Sequence, residues 1–210
     1  MSEKKTPQQV AATLRRYPPL RPVISAVGPP PAFRVTPVAK RYEHLVRSIV
    51  HQQLAGKAAE AIYGRFAGEL HGDVTPERVL ALSDETMAGV GLSGAKRRAI
   101  SDLTHKVHDG TVRFETHGRR TNDEIIAELV QVRGVGPWTV HMYLMHALAS
   151  PDVWPSGDYG VRNGWSLLHG HDVMISALEL ATAADHLAPH RSAVAWYCWQ
   201  AVDVARASDR

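Results

Sequence analysis

Among the side chains and turns of this 210-residue sequence that could do chemistry, the most specific stretch is Leu129-Val130-Gln131-Val132-Arg133-Gly134-Val135-Gly136-Pro137-Trp138-Thr139. Two glycines around one valine let the backbone turn tightly with no Cβ in the way. Pro137 suits the first position of a helix, and a helix start carries unpaired N–H donors and a partial positive charge. Such a turn can seat a phosphate. A seat built from main-chain donors touches backbone oxygens and would bind nucleic acid without reading its sequence. Taken alone, Gly-x-Gly is more often merely a tight turn between packed helices. The second candidate is Asp158, 22 residues beyond Gly136, within Val153-Trp154-Pro155-Ser156-Gly157-Asp158-Tyr159. An aspartate in front of a helix is, by itself, an N-cap.

Other chemistries are excluded or unsupported. His105/His108 and His141/His146 are close pairs, but no carboxylate joins them at ligand spacing, so no metal site is expected. The single cysteine, Cys198, excludes an internal disulfide, a four-cysteine zinc site and a cysteine-ligated iron–sulfur cluster. The sequence has no Walker loop, no Gly-x-Gly-x-x-Gly and no Gly-x-Ser-x-Gly. With 44% hydrophobic and 21% charged residues it has enough apolar side chain for a core, which excludes a mostly disordered chain. No run of 18 uncharged apolar residues occurs, so no membrane partner is expected. The polar start, Met1 to Gln9, lacks the apolar stretch of a secretory signal, and a cytoplasmic location is expected. A net charge of +3 permits a polyanionic partner without requiring one.

The elements that must position these residues read as helices throughout. Pro18, Pro19, Pro22, Pro29, Pro30, Pro31 and Pro37 predict an irregular arm over residues 1–40, packed on the core, with a short helix over 8–16. Residues 41–210 read as one helical domain. Tyr42, Leu45, Val46, Ile49, Val50 and Leu54 form one buried helical stripe, and a second helix spans 57–70. Thr75-Pro76-Glu77 and Ser83-Asp84-Glu85 look like helix starts, and a helix over 95–108 follows the break at Gly91-Leu92-Ser93-Gly94. Thr121-Asn122-Asp123-Glu124 matches a capping box before Ile125, Ile126, Leu129 and Val130. Further helices are expected over 137–149, after Asp158, over 176–186 and over 191–206. The chain is therefore predicted to be all-α, with about nine or ten helices and only a short β-like patch at 111–114.

With Leu129 and Val132 at helical spacing before the glycines and Pro137-Trp138-Thr139 after them, the turn resembles the helix-hairpin-helix of the DNA glycosylase superfamily. Its Gly-Val-Gly-Pro-Trp-Thr form resembles the alkylbase branch, the 3-methyladenine DNA glycosylase II (AlkA) type. The resemblance covers about residues 41–206. It implies a helix-hairpin-helix glycosylase fold in which two helical lobes flank a DNA-binding cleft, without the N-terminal α/β lobe of the larger AlkA proteins. It also implies that Asp158, at the family's spacing from the hairpin, is the catalytic carboxylate. A fixed anion near C1′ stabilises the oxocarbenium character that develops as an N-glycosidic bond breaks, and can orient or deprotonate the attacking water. An alkylated purine already carries positive charge and leaves with little acid assistance.

The function so implied is excision of cationic purines such as 3-methyladenine from duplex DNA after base flipping, initiating base excision repair. Strand-nicking relatives place a lysine just after the hairpin glycines; Trp138 stands there, and no lysine occurs from Gly134 to Asp158, so no lyase activity is expected. Two alternatives stay open: a non-catalytic helix-hairpin-helix DNA-binding protein, and a glycosylase for oxidised or mismatched bases.

The same resemblance assigns the remaining residues. Trp138 would line the base pocket and attract a cationic base through its ring face. Met142 stands where the family often has tyrosine, with Tyr143 beside it, and His190 stands where a tryptophan can precede Arg191; both changes imply a more open pocket. Residues 48–59 resemble the segment that fills the gap left by a flipped base. Gln53 best matches the inserting position, with Gln52 and Leu54 as neighbours; a glutamine could bond the orphaned base, whereas Leu54 could only fill space. Solvating a helix end is an equally ordinary use of these glutamines. Gly134, Val135, Gly136, Thr139 and Arg133 are expected to contact phosphates. Lys96, with Arg97 and Arg98, would either join them or form a solvated helix face. Trp154, Trp165, Trp196 and Trp199 are assigned to the core. No cofactor is implied beyond a monovalent cation at the hairpin. The expected partner is double-stranded DNA containing a damaged base, bound by a monomer, since flipping at one site needs no dimer.

Overall fold

The computed structural model describes residues 5–54 and 56–208. Among them are twelve α-helices and three short 3-10 turns, with no strand. In chain order the helices are α1 (Pro7–Leu14), α2 (Arg21–Val27), α3 (Val38–His51), α4 (Gly56–Glu69), α5 (Pro76–Leu80), α6 (Asp84–Gly89), α7 (Gly94–His108), α8 (Asn122–Leu129), α9 (Pro137–His146), α10 (Tyr159–His169), α11 (Ala177–Ala183) and α12 (Arg191–Ser208). The all-α expectation holds, and residues 111–114 are irregular chain with bends rather than a β segment. No described helix is long and apolar enough to cross a membrane.

The chain divides into two compact units. An inserted unit runs from Val35 to Leu148; a terminal unit joins the described residues up to Arg34 with those from Ala149 onward.

In the inserted unit, α3 buries Tyr42, Leu45, Val46, Ile49 and Val50 along one face. The stripe stops short of Leu54, which is exposed, because α3 ends at His51 and Gln53 takes a left-handed φ of 55°. Ser93 starts α7 by accepting from Lys96 N, and Thr121 and Glu124 close a reciprocal capping box on α8. Pro137 opens α9 at its first position. A buried polar chain ties α8 to α9. His117 sits between Glu128 of α8, 2.8 Å from Nε2, and the Tyr143 hydroxyl of α9, 2.9 Å from Nδ1. Arg120 completes the set through an ion pair with Glu128. Desolvation pushes the His117 pKa down despite the neighbouring carboxylate, and the Glu128 pKa is also low, because its bonds to His117, Arg113 N and Arg120 outweigh burial.

The terminal unit is built on α10 packed against α12. A Cβ at Gly164 of α10 would lie 1.9 Å from the Cys198 carbonyl oxygen of α12, so the two backbones approach more closely than any side chain allows. The short helix expected over 8–16 is present as α1, and the arm's prolines also open a second helix, α2, where irregular chain was expected. Pro7 and Pro22 occupy the opening turns of α1 and α2, where proline's missing N–H costs nothing and its fixed φ favours the helix. Irregular chain remains from Gly28 to Pro37. Tyr17, between α1 and α2, bonds His169 Nε2 at 2.7 Å and lies against Trp165.

Candidate active site

The hairpin between α8 and α9 turns at Gly134, whose φ of +75° favours glycine. A Cβ there would also stand 3.3 Å from that of Ala99 on α7. Gly136 differs. It caps α9 with a φ of −96°, and a Cβ on it would meet nothing within 4 Å, so nothing in the chain's own packing demands glycine at this position. Val135 is buried and can offer an outside ligand only its main chain; Arg133 is exposed. Thr139 is buried too, and its hydroxyl accepts from Gln52 Nε2 at 3.0 Å while the same amide nitrogen donates to Gly134 O at 3.1 Å. Gln52, expected beside the inserted side chain, therefore braces the hairpin. Gln53 and Leu54 are both exposed at the turn that follows α3.

Lys96, expected at a phosphate or on a solvated helix face, makes a bond within the protein. Its ammonium donates to Val50 O at 2.7 Å, holding the end of α3, and desolvation lowers its pKa. Trp138, one residue into α9 from Pro137, is 46% exposed, which suits a ring that must meet a ligand. Met142, a turn later, is half-buried. Tyr143 points the other way: it is fully buried and bonded to His117, so it belongs to the core and not to a pocket wall. The helical period explains the split, since residues four apart share a face and the next residue does not.

In the terminal unit, Asp158 is the N-cap of α10, as its position before a helix predicts. Oδ1 accepts from Val161 N at 2.7 Å and also from the indole Nε1 of Trp199, on α12, at 2.9 Å. The carboxyl group is half-buried. The indole reaches it because residue 160 is glycine: a Cβ there would stand 2.7 Å from Trp199 Cδ1. Trp199 was assigned to the core by sequence and is instead a direct partner of the candidate carboxylate. The signal that could have found it is Gly160-x-x-x-Gly164, two residues without side chains on one helix face, which marks a face another helix approaches closely.

His190 is buried and bonded to Lys5 Nζ at 3.1 Å, and desolvation, with Lys5 adding to it, lowers its pKa. Arg191 holds Asp152 by two parallel bonds of 2.8 Å, so Asp152 is used up structurally. Burial raises the Cys198 thiol well above its ordinary range and removes it as a nucleophile.

Among the described residues no group of three or more His, Cys, Asp or Glu could hold a metal ion. A monovalent cation at the hairpin would have to use main-chain carbonyls. Val132 O and Gly134 O each accept one bond, from Val135 N and Gln52 respectively, and a carbonyl has a second lone pair, so the donor set fits a weakly held ion.

A glycine hairpin and a braced carboxylate are the two parts the sequence resemblance predicts, and comparison with known proteins gives the class. Residues 46–189 match the HhH-GPD superfamily of base excision DNA repair proteins, and the chain belongs to that family. Over 167 residues it is 33% identical to DNA-3-methyladenine glycosylase 1 of Schizosaccharomyces pombe, covering 78% of this chain and 73% of that protein. Among solved structures it is similar to the S. pombe 3-methyladenine DNA glycosylase Mag1 in complex with abasic DNA, with a TM-score of 0.83 and 31% identity over 91% of this chain and 95% of that one. It is also similar to a DNA-3-methyladenine glycosidase from Bacillus halodurans, with a TM-score of 0.84 and 29% identity over 96% and 92% of the two chains.

Proposed function

We propose that this protein is a monofunctional DNA glycosylase that excises alkylated, cationic purines such as 3-methyladenine from duplex DNA, leaving an abasic site for base excision repair. The observation that carries the reading is the Asp158 carboxylate, fixed at the start of α10 by donors from Val161 and Trp199. A carboxylate held in this way does not reorganise as charge develops, which is the condition for stabilising a cationic sugar. The relatives named above act on 3-methyladenine by their names, and this chain matches them over most of its length.

The roles divide as follows. The hairpin N–H groups of the inserted unit would bind phosphate oxygens, and Gly136, which the chain's packing does not require, leaves room for close approach of a nucleic-acid backbone. Arg133 would add a charged contact. Gln53 and Leu54 would occupy the space vacated by the flipped nucleotide, with Gln53 able to bond the orphaned base. Trp138 would hold the extruded cationic base by its ring face, beside the flexible side chain of Met142. The purine leaves with its electron pair and becomes neutral; Asp158 stabilises the remaining sugar cation and orients or deprotonates the water that adds to C1′. With His190 buried against Lys5, no indole would wall that side of the pocket, which favours a broad substrate range. A monomer suffices, and the location that follows is cytoplasmic.

The test is to incubate the protein with methylated duplex DNA, measuring released 3-methyladenine and abasic sites, with borohydride added to a parallel sample. Base release without covalent trapping is expected, because no lysine follows the hairpin. Trapping would replace this reading with a lyase, and DNA binding without base release would replace it with a non-catalytic binder.

A further inference from the structure

An exposed, glycine-containing turn can rotate its peptide planes, so a hairpin that must aim N–H groups at a phosphate needs a fixed point. Val132 N donates to Leu129 O at 3.1 Å and Val135 N to Val132 O at 3.0 Å, which closes the turn on either side of Arg133. The Arg133 N–H itself leaves the turn. It donates at 2.7 Å to Oδ2 of Asp102 on α7, a side chain 31 residues earlier. Ala99 and Asp102 lie on one face of α7, so the turn is seated twice on that helix: by the close approach of Gly134 to Ala99 and by the bond from Arg133.

A bare carboxylate beside a phosphate seat would repel the ligand. Lys106, one turn along α7, donates to both oxygens of Asp102, at 2.7 and 2.8 Å, and compensates the charge. Burial opposes ionisation of this carboxyl, yet Lys106 and the Arg133 N–H outweigh it and keep its pKa below the ordinary value. Gln52 adds a further brace on Gly134 O and Thr139. Among the described residues the N–H groups of Gly134 and Gly136 donate to no acceptor.

We propose that Asp102 is a positioning residue for DNA binding: by taking the Arg133 N–H to itself, it sets the hairpin so that the Gly134 and Gly136 N–H groups remain available to a phosphate. The proposal rests on the hairpin being a backbone contact, as in the function proposed above.

The test compares the full chain with Asp102→Asn and Asp102→Ala, which remove the same charge and differ in whether an acceptor for Arg133 remains. Affinity for a labelled duplex carrying a stable abasic-site analogue is measured across salt concentrations. Single-turnover base release at saturating enzyme and hydrogen exchange at the Arg133 amide are read alongside. The Asn variant is expected to bind within about threefold of the parent and the Ala variant about tenfold more weakly, the effect of losing one charge-assisted hydrogen bond. The slope of affinity against salt should match between the Ala and Asn variants, because the contact at stake is made by neutral main-chain N–H groups and releases no counterion. Release at saturation should be equal in all three. The Arg133 amide should be protected in the parent and the Asn variant, a reading that stands even if the Ala variant does not fold. Equal affinity of the Ala and Asn variants, or an unprotected Arg133 amide in the parent, would overturn the proposal. If the parent binds the duplex but releases no base, the excision reading fails while the affinity comparison still decides the role of Asp102. If it binds no duplex, both fall.

Discussion

A carboxylate that caps a helix accepts from the first N–H groups of that helix, and Asp158 Oδ1 accepts from both the Val161 N–H and the Trp199 indole N–H. Capping and catalysis are compatible because both need the group held still. Trp199→Phe keeps the ring and removes the donor, so base release at saturating DNA should fall about tenfold, the cost of one hydrogen bond to a charged group, with little change in the concentration of DNA needed for half-maximal rate. Single-turnover kinetics check it. Asp158 was legible in the sequence through its place before a helix and its spacing from the hairpin. Its partner was not, since Trp199 is 41 residues away and an isolated tryptophan reads as core. Tyr143 was misplaced for a related reason: residue type suggested a ligand contact, while a buried bond to His117 holds it inside the protein.

At the level of elements, local rules did most of the work. The capping box at Thr121, the helix start at Ser83 and the proline opening α9 each mark a helix start the sequence states directly. Proline misled at α2, where Pro22 starts a helix and had been read as a breaker. The contact between α10 and α12 lay beyond local rules, because it depends on which glycine faces which backbone. Gly164→Ala would drive a methyl group to within 1.9 Å of the Cys198 carbonyl and force the helices apart. A loss of more than about 2 kcal/mol of stability is expected, with reduced base release because α12 carries Trp199. A denaturant titration tests this: an unchanged midpoint would mean that the helices are not so close.

On the scale of the whole molecule, burial of histidines couples stability to pH. His44, His117, His141 and His146 in the inserted unit, and His169 and His190 in the terminal unit, all have pKa values lowered, with desolvation the largest cause. A lowered value in the folded state means the unfolded chain binds more protons. The stability these groups allow is therefore complete above their unfolded value of about 6.5 and is lost as pH falls toward their folded values. The melting temperature should drop between about pH 7 and pH 5, and one that held or rose on acidification would contradict this account of the core. Helical class, length and hairpin were legible at this scale. The division into Val35–Leu148 and a unit formed from both flanking segments was not, because hydrophobic period reports faces of helices and not which distant segments share a core. The central claim, that a fixed anion at position 158 breaks the glycosidic bond, is tested most directly by single-turnover release of 3-methyladenine from methylated duplex by Asp158→Asn, which keeps an acceptor for the cap and loses the charge. A fall of at least about a hundredfold, with unchanged melting temperature and abasic-duplex affinity, is the expected result; release at the parent rate would contradict the claim.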